Sequence, residues 1–280
     1  MDRHGIAVVV VLVLAGDRRE VLRQAEASLM VDGEITVDGA GKVVDYTLKE
    51  ADKLPANVVD FLRGNIAAWT FEPPGLEGRT VNMRNDMKLM VVAKRINEES
   101  FLMRLQASSF FPQDWKQGYT LARRKMKLPR YPVFALRSGA EGTVYLVLKV
   151  GRDGRVLDAM AEQVNLRVAT DTETMERLRH GFAAGAEEAA RHWEFEPPTR
   201  GEEAEEAYWS VRVPVDFTLG RPKQYGRWMA YIPGPRVKAP WMIDQEAEAS
   251  PEALADGVPT LVGGKGLRLR APLASAPEGS

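Results

Sequence analysis

The sequence predicts a mixed α+β protein that contains two similar units, each an antiparallel sheet covered by one amphipathic helix. Three observations predict this class. A hexapeptide that begins at Trp69 returns with one change at Trp193. Each copy follows a stretch with the hydrophobic periodicity of a helix, and each copy precedes a stretch with the alternation of a strand. We therefore expect one structural unit, of strand, strand, helix and strand, that occurs twice.

The repeated hexapeptide itself carries no groups for catalysis. Its two copies are Trp69-Thr70-Phe71-Glu72-Pro73-Pro74 and Trp193-Glu194-Phe195-Glu196-Pro197-Pro198. Trp and Phe two residues apart are packing residues, and a Pro-Pro pair ends a helix. The function is therefore expected to lie in what the repeated unit binds.

Composition excludes several classes of function. The chain has 280 residues, of which 45% are hydrophobic, so it can form two cores of ordinary size. Lys+Arg number 38 and Asp+Glu 39, and the resulting net charge of −1 gives no basic footprint for a nucleic acid. Without cysteine there is no disulfide framework and no thiolate metal site. We expect neither a nucleic-acid partner nor a cofactor.

The N-terminus has the pattern of a signal peptide. Arg3 and His4 precede an apolar run from Ile6 to Ala15, which is much shorter than the ~20 residues that span a bilayer. A run of this length that ends in small residues is typical of a secretory signal, with cleavage near Ala15. We predict that residues 1–15 are a signal peptide and that the mature protein is exported. A buried strand of the first unit is the alternative.

The first unit is predicted over residues 16–107. Two apolar stretches, Ala27–Val37 and Lys42–Leu48, flank the turn Asp38-Gly39-Ala40-Gly41 and predict a hairpin. Pro55, a residue favoured in the first turn of a helix, begins a stretch with one apolar stripe. The stripe consists of Val58, Leu62, Ile66 and Trp69. The strands predicted after this helix are Thr80–Ala93 and Phe101–Leu105.

The second unit is predicted over residues 128–219. A linker at residues 108–127 precedes it, and the basic cluster Arg123-Arg124-Lys125 in that linker is more often solvated than a site for an anionic surface. The capping-box spacing over Thr170–Glu173 begins a helix that ends in the second hexapeptide. Pro214 lacks a backbone donor, which places the last strand at a sheet edge, where a partner can add. The strands predicted in this unit are Gly142–Val150, Arg155–Ala161 and Tyr208–Leu219.

A series of motifs runs through the second unit. They are Tyr131-Pro132, Ala135, Gly139-x-Glu141-Gly142-Thr143-Val144, Asp153-Gly154-Arg155-Val156, Ala189-x-x-x-Trp193-x-Phe195-x-Pro197 and Val211-x-Val213-Pro214-Val215-x-Phe217. In this order and spacing the motifs resemble the C-terminal domain of TonB over residues 128–219, about a third of the chain. The first unit is similar only through the internal repeat, since it has no counterpart of Tyr131-Pro132, and we interpret it as a divergent TonB-like repeat.

The resemblance implies a periplasmic interaction domain of Gram-negative bacteria without catalytic residues. Such a domain captures an extended segment near the N-terminus of an outer-membrane transporter as an added strand, in which backbone hydrogen bonds give affinity and alternate side chains give specificity. For Tyr208–Leu219, a core strand whose edge is already covered is the alternative. The resemblance places the docking edge at Trp209, Val211, Val213, Val215 and Phe217. It places Val133, Phe134, Ala135, Leu136 and Arg137 beside the captured peptide.

Two departures from the family shape the functional prediction. A TonB that transmits force has a transmembrane anchor and a long Pro-rich spacer, and neither pattern is present in the sequence. We predict a free periplasmic adaptor, linked to TonB-dependent transport, that binds an outer-membrane transporter or another envelope protein. An uncleaved N-terminus would instead make the chain an energy transducer anchored in the inner membrane. Pairing of its own sheet edges would make it a homodimeric structural or assembly protein of the envelope.

Residues 220–280 are predicted to be an extension rich in proline and aromatic residues. Its aromatic residues are Tyr225, Trp228, Tyr231 and Trp241, and we expect them to pack on the second unit. The alternation in Leu267–Leu273 predicts a strand that occupies the docking edge in cis.

The chain is not expected to be an enzyme. Its histidines are His4, His180 and His192, and no Asp or Glu pattern completes a metal site around them. No serine lies in the strand-turn-helix context of a nucleophile.

Overall fold

A computed structural model describes residues 18–72, 82–97, 100–112, 118, 121–200, 202–220, 225–242, 260–261, 267 and 269–270. The predicted signal peptide at residues 1–15 lies outside these ranges. Within them, no helix is both long enough and apolar enough to cross a membrane.

The chain folds into a few helices and antiparallel strands, which confirms the predicted α+β class. Residues 18–23 are helical, and 3-10 turns lie at Ala51–Lys53 and Glu202–Glu205. The longer helices are α1 (Ala56–Ala67), α2 (Val133–Arg137) and α3 (Thr172–Ala190). The strands are β1 (Glu26–Val37), β2 (Val43–Leu48), β3 (Met83–Arg95), β4 (Phe101–Pro112), β5 (Ala122–Lys125), β6 (Gly142–Gly151), β7 (Val156–Leu166), β8 (Glu194–Glu196), β9 (Tyr208–Phe217), β10 (Met229–Tyr231) and β11 (Thr260–Leu261).

The first sheet has the strand order β10-β1-β3-β4, and β2 also pairs with β1. One flank of β1 is shared, because Glu26–Ser28 pair with β10 and Gly33–Val37 pair with β2. The other flank of β1 pairs with β3 along the whole strand. The unit therefore contains the order β2-β1-β3, with β4 added outside β3.

β4 is longer than the sequence predicts. The strand expected over Phe101–Leu105 continues to Pro112, because Phe110 keeps the apolar pattern and packs its ring 5.0 Å from that of Phe71. Residues 108–112, which the sequence assigns to the linker, therefore belong to the first sheet.

The second sheet has the order β7-β6-β9-β11, and every pair in it is antiparallel. Its strands β7-β6-β9 repeat the arrangement β2-β1-β3 of the first sheet.

β5 and β8 form a separate two-stranded sheet. In that small sheet, Arg124 and Lys125 of the basic cluster lie 3.9 and 4.0 Å from the carboxylate of Glu194. The cluster thus pairs with the second hexapeptide.

Each sheet buries one face under one helix. The buried side chains of α1 are Val58, Val59, Leu62 and Ile66, and those of α3 are Met175, Leu178, Phe182, Ala186, Ala189 and Ala190. Burial of a large apolar side chain stabilises a fold by roughly 1.5–3 kcal/mol.

The start of α3 is fixed by Asp171, whose carboxylate accepts a hydrogen bond from the backbone N–H of Thr174. This bond lowers the pKa of Asp171.

The two hexapeptides occupy equivalent positions in the two units. The backbone N–H of Phe71 donates to the carbonyl of Gly41 at 2.7 Å, and that of Phe195 donates to Gly154 at 2.8 Å. Gly41 and Gly154 have φ values of +86° and +78°. A Cβ on either glycine would lie 2.1 or 2.0 Å from the carbonyl oxygen of its Phe partner. Each hexapeptide therefore closes on a hairpin turn that only glycine can form.

The tail connects the two sheets. β10 pairs with β1, and the next residue, Ile232, pairs with Leu166 at the end of β7. Trp241 packs on the second sheet, as expected, but Tyr225 and Trp228 pack on the core of the first unit. The expectation that all tail aromatics pack on the second unit is wrong, because the chain crosses from one sheet to the other at β10.

Candidate strand-addition site

β9 is the predicted docking strand, and it borders the tail. Its inner flank pairs with β6 along the whole strand. On its outer flank the described residues pair at two positions, Thr260 with Arg212 and Leu261 with Val211. We call this outer side of β9 the β9 flank.

Pro214 sets the direction of the backbone groups in β9. It lies opposite Tyr145 of β6. A proline removes a ladder hydrogen bond unless its missing N–H would point away from the neighbouring strand. Since backbone groups alternate between the two flanks of an antiparallel strand, those of Arg212 and Asp216 then also point outward. The pairing of Thr260 with Arg212 fits this parity. The row of outward backbone N–H groups of β9 is therefore interrupted at one proline.

The β9 residues predicted at the docking edge have buried side chains. Their exposed fractions are 5% for Trp209, 0% for Val211, 2% for Val213, 7% for Val215 and 2% for Phe217. All five belong to the core of the second unit under α3. Their side chains are therefore not available at the edge, and the outward backbone groups of β9 belong to the alternate residues.

The opposite face of β9 carries a buried ion pair that sequence reasoning missed. Arg212 donates from Nε and Nη2 to the carboxylate of Glu162 at 2.7 and 2.8 Å, and the two side chains are 4% and 1% exposed. Arg236 of the tail donates to the same carboxylate at 3.1 Å. The ion pair links β9 to β7 across the intervening β6. The signal in the sequence is a lone charge in an apolar strand, which is rarely buried unless paired.

Arg167 fixes the C-terminal end of β9. Its guanidinium donates to the carbonyl of Phe217 at 2.9 Å and lies 3.3 Å from the carboxylate of Asp216. Glu141, 3.5 Å from the same guanidinium, accepts a hydrogen bond from the backbone N–H of Leu219 at 2.6 Å. These contacts hold β9 in one register, so an added strand would meet a fixed template.

The residues predicted beside the peptide form α2. Within it, Ala135 is buried, while the ring of Phe134 stacks 3.7 Å from the Arg177 guanidinium of α3. Val133 and Leu136 are 61% and 51% exposed. Arg137, the last residue of α2, is exposed as well. α2 therefore presents an apolar surface next to α3.

Tyr131, two residues before α2, connects this helix to β9. Its ring lies 5.5 Å from that of Phe217 and 5.7 Å from that of Phe182. The hydroxyl donates to the carbonyl of Ala140 at 2.6 Å, and burial raises the pKa of Tyr131. The structure thus brings the two predicted parts of the site together at the C-terminal end of β9, whereas the start of β9 lies away from this contact.

Two kinds of curated protein resemble part of the chain. Protein tonB2 of Pseudomonas aeruginosa is 34% identical over 91 residues, which are 32% of this chain and 28% of that protein. Protein TonB of Xanthomonas campestris pv. campestris is 30% identical over 99 residues, which are 35% of this chain and 38% of that protein. The chain contains a TonB-like C-terminal domain.

The extent of this similarity is limited. The chain matches only 28% to 38% of the length of these relatives. No family model matches the chain, and no solved structure matches it. The motifs that resemble TonB all lie in residues 128–219, which include α2, α3 and the strands β6 to β9.

The TonB-like domain differs from the first unit at the outer flank of its last strand. In the first unit, β4 pairs with β3 from Phe101 to Pro112 and covers the flank that corresponds to the β9 flank. The segment that follows β9 contains β10, which pairs with β1 of the other sheet instead. Only β11 covers the β9 flank among the described residues. Among the described residues, a full strand therefore pairs on this flank in the first unit, and two residues pair on it in the TonB-like domain.

The tail does reach the β9 flank, but through a different segment from the predicted one. The expectation that Leu267–Leu273 occupies this edge is wrong, since β11 pairs there. Leu269 instead forms a bridge with Phe71 in the first unit, and the N–H of Arg270 donates to the carbonyl of Thr70 at 2.8 Å. The alternating residues Leu267 and Leu269 do make apolar contacts, as their pattern indicates. They pack on the core of the first unit, beside the first hexapeptide. Residues 268 and 271–273 lie outside the described ranges.

Neither histidine of the TonB-like domain lies in a metal or catalytic constellation. Across the described ranges, no group of three or more His, Cys, Asp or Glu side chains could hold a metal ion. His180 and His192 are exposed on α3 and just after it, and His192 lies 3.5 Å from Glu188. This arrangement suits a solvated helix surface.

Proposed function

We propose that the chain is a TonB-family adaptor of the periplasm, linked to TonB-dependent transport. In this proposal it binds an extended segment of an outer-membrane transporter, or of another envelope protein, by strand addition at the β9 flank. One observation carries the proposal: β9 forms a full ladder with β6 on its inner flank, and a tail strand, of which Thr260 and Leu261 are described, adds to its outer flank.

The energetics of strand addition suit such a flank. Each new backbone hydrogen bond contributes a net ~0.5–1.5 kcal/mol, so a segment of several residues gives measurable affinity without a deep pocket. The exposed apolar residues of α2 lie near the C-terminal end of the flank, where they can contact side chains of the added segment. Val133 and Leu136 provide this apolar contact.

The proposal is tested with synthetic peptides that copy the N-terminal segments of outer-membrane transporters. In an added strand, alternate N–H groups bond to the template, and the others point away from it. We expect N-methylation of one set of alternate residues to abolish binding to the full chain and N-methylation of the other set to leave most of it. Fluorescence polarisation measures both. Equal binding of the two methylated peptides, or no binding of any transporter peptide, contradicts strand addition.

Export is proposed from the sequence alone, with cleavage near Ala15. The mass of the protein recovered from cells tests this point. A mature chain that begins after Ala15 in the periplasmic fraction supports the adaptor. An intact Met1 in the membrane fraction supports the energy transducer instead.

A second candidate function is that of a homodimeric envelope assembly protein. It is favoured by β4, whose outer flank has no partner strand among the residues that the structure describes. Antiparallel pairing of two β4 strands would join the first sheets of two copies. Sedimentation of the purified chain with and without transporter peptides separates the candidates, because the assembly protein dimerises and ignores the peptides.

A further inference from the structure

We propose that residues 122–130 form a surface that docks on a bilayer of anionic phospholipid. We call this segment, which consists of β5 and the five residues after it, the basic ridge. Docking there would hold the TonB-like domain against a membrane. It is independent of the segment that β9 captures.

Positive charge is concentrated in the basic ridge. Residues 121–140 contain six Lys or Arg residues and no Asp or Glu. The whole chain has a net charge of −1, so acidic residues elsewhere balance this local charge. A patch of this kind attracts an anionic surface and turns the molecule toward it. Five of the six cations lie in the ridge: Arg123, Arg124, Lys125, Lys127 and Arg130.

The cations of the ridge are exposed. The side chains of Arg124 and Lys125 are 64% and 72% exposed, although the carboxylate of Glu194 lies 3.9 and 4.0 Å from them. Exposed ion pairs of this kind contribute little. Glu196, in the same strand β8, is the second acid in the strand that pairs with β5. Two carboxylates beside five cations leave the ridge positive.

The backbone of the ridge is held in place. β5 pairs with β8. The carbonyl of Lys127 accepts a hydrogen bond from the indole N–H of Trp193 at 2.8 Å. The carbonyl oxygen of Arg130 lies close to α3, since a Cβ on Gly185 would approach it to 3.1 Å. The cations therefore extend from a fixed backbone, so docking orders little of the chain and loses little entropy.

An exposed apolar side chain lies among the cations. Leu128, between Lys127 and Arg130 in the sequence, is 87% exposed. Val133 and Leu136 of α2, which follows the ridge, are exposed as well. A bilayer interface accepts both kinds of group, because cations contact the phosphates while an apolar side chain enters the acyl boundary. An acidic protein or a nucleic acid would use the cations alone. The combination favours an anionic bilayer.

Vesicle sedimentation with the full chain tests the proposal. Vesicles of equal parts phosphatidylglycerol and phosphatidylcholine provide the anionic bilayer. Vesicles of phosphatidylcholine alone measure any binding through the apolar run at Ile6–Ala15. We expect binding to the anionic vesicles in about 0.1 M salt and loss of most of it in about 1 M salt, since the Debye length falls from ~10 to ~3 Å. Binding to the anionic vesicles that does not exceed binding to the neutral ones overturns the proposal.

Charge reversal tests whether the ridge is the docking surface. Lys127→Glu with Arg130→Glu changes two exposed side chains and keeps both backbone carbonyls. Each cation near an anionic surface strengthens binding about fivefold, so we expect the double variant to bind at least ~25-fold more weakly. The matched control, Lys42→Glu with Arg63→Glu, makes the same change in charge at exposed positions of the first unit. Equal weakening of the two variants overturns the proposal.

Leu128→Asn separates a bilayer from other anionic partners. We expect it to bind anionic vesicles about tenfold more weakly, because the leucine no longer enters the acyl boundary. The matched control is Val44→Asn, at a side chain of β2 that is 56% exposed, and it should bind like the wild type. Unchanged binding of Leu128→Asn would mean that the ridge recognises negative charge alone, which overturns the bilayer as its partner.

The salt dependence and the comparison of the two kinds of vesicle use the wild type, so they decide the proposal even if a variant misfolds. The outcomes also separate docking from strand addition. A chain that binds transporter peptides but ignores anionic vesicles supports strand addition and overturns docking. A chain that binds the vesicles through the ridge but no transporter peptide supports docking and overturns strand addition.

Discussion

At the scale of single residues, the contact between a hairpin glycine and the Phe of the hexapeptide determines whether each unit can close. We predict that Gly154→Ala destabilises the chain by about 2 kcal/mol or more, because the new Cβ would combine a positive φ with a clash against backbone. The clash is with the carbonyl oxygen of Phe195, at 2.0 Å. Urea denaturation measures the change in the free energy of unfolding.

Gly139 provides a matched control. It has a φ of +64°, but no atom lies within 4 Å of the position that its Cβ would take. Gly139→Ala therefore tests the strain alone, which is about 1–2 kcal/mol. Equal losses in the two variants would show that the contact with Phe195 contributes nothing.

Tyr225 predicts a pH dependence of stability. Its hydroxyl donates to the carbonyl of Lys49 at 2.7 Å, and burial raises its pKa above the ordinary value of 10.0. A pKa raised in the folded state gives stability that is complete below pH ~10 and lost as the pH rises through the folded pKa. We expect the free energy of unfolding of the wild type to fall more steeply above pH ~10 than that of Tyr225→Phe. Parallel curves for the two proteins would contradict this role.

At the scale of secondary structure, Pro214 limits the number of hydrogen bonds that the β9 flank can offer. We predict that Pro214→Ala adds one outward N–H and tightens peptide binding about two- to tenfold, the equivalent of one net hydrogen bond. Fluorescence polarisation with the full chain measures this change in affinity. The gain in affinity should vanish with a peptide in which the amide carbonyl facing residue 214 is an ester carbonyl, because an ester carbonyl is a weaker hydrogen-bond acceptor. A gain with both peptides would indicate a different cause.

The elements that the sequence predicts well are those with a local pattern. Apolar residues at steps of three and four identify α1 and α3, and alternation identifies β1, β6 and β9. Pro214 predicts that β9 lies at the edge of its sheet, whereas β11 pairs outside it. Local pattern is insufficient to predict β10 and β11. Their described parts have three and two residues, and their partner strands lie far away in the sequence. For the same reason, the sequence predicts Leu267–Leu273 on the β9 flank, where the structure has β11.

The residues predicted for the candidate site lie on β9 and α2, but the β9 side chains predicted at the docking edge are buried. Alternation assigns Val211 and Val213 to one face, and that face is the core, so the strand presents its backbone rather than these side chains to a partner. The ion pair of Arg212 with Glu162 depends on β7 and β9 lying on either side of β6. A single sequence carries no direct signal for such a pairing, because the two residues belong to different parts of the chain.

At the scale of the whole molecule, the tail makes one body of two similar units. β10 pairs with β1, and the hydroxyl of Tyr231 donates to Glu26 at 2.9 Å, while the Arg104 guanidinium holds the same carboxylate at 2.9 Å. On the other side, the N–H of Gly234 donates to Asn165 at 3.1 Å. A cavity of about 200 Å³ is lined by residues of both sheets and of the tail. Because these contacts cross between units, we expect the wild type to unfold in one cooperative transition.

Gly234 is the position at which this coupling can be broken selectively. A Cβ there would lie 2.2 Å from the carbonyl oxygen of Val164 in β7, so Gly234→Val must push the tail away from the second sheet. We predict that scanning calorimetry resolves two transitions for this variant, one for each sheet, and that the first lies below the melting temperature of the wild type. Gly220→Val is the matched control, since among the described residues no atom beyond its chain neighbours lies within 4 Å of its Cβ position. If Gly234→Val melts in one transition like the control, the two units are coupled by something other than the tail.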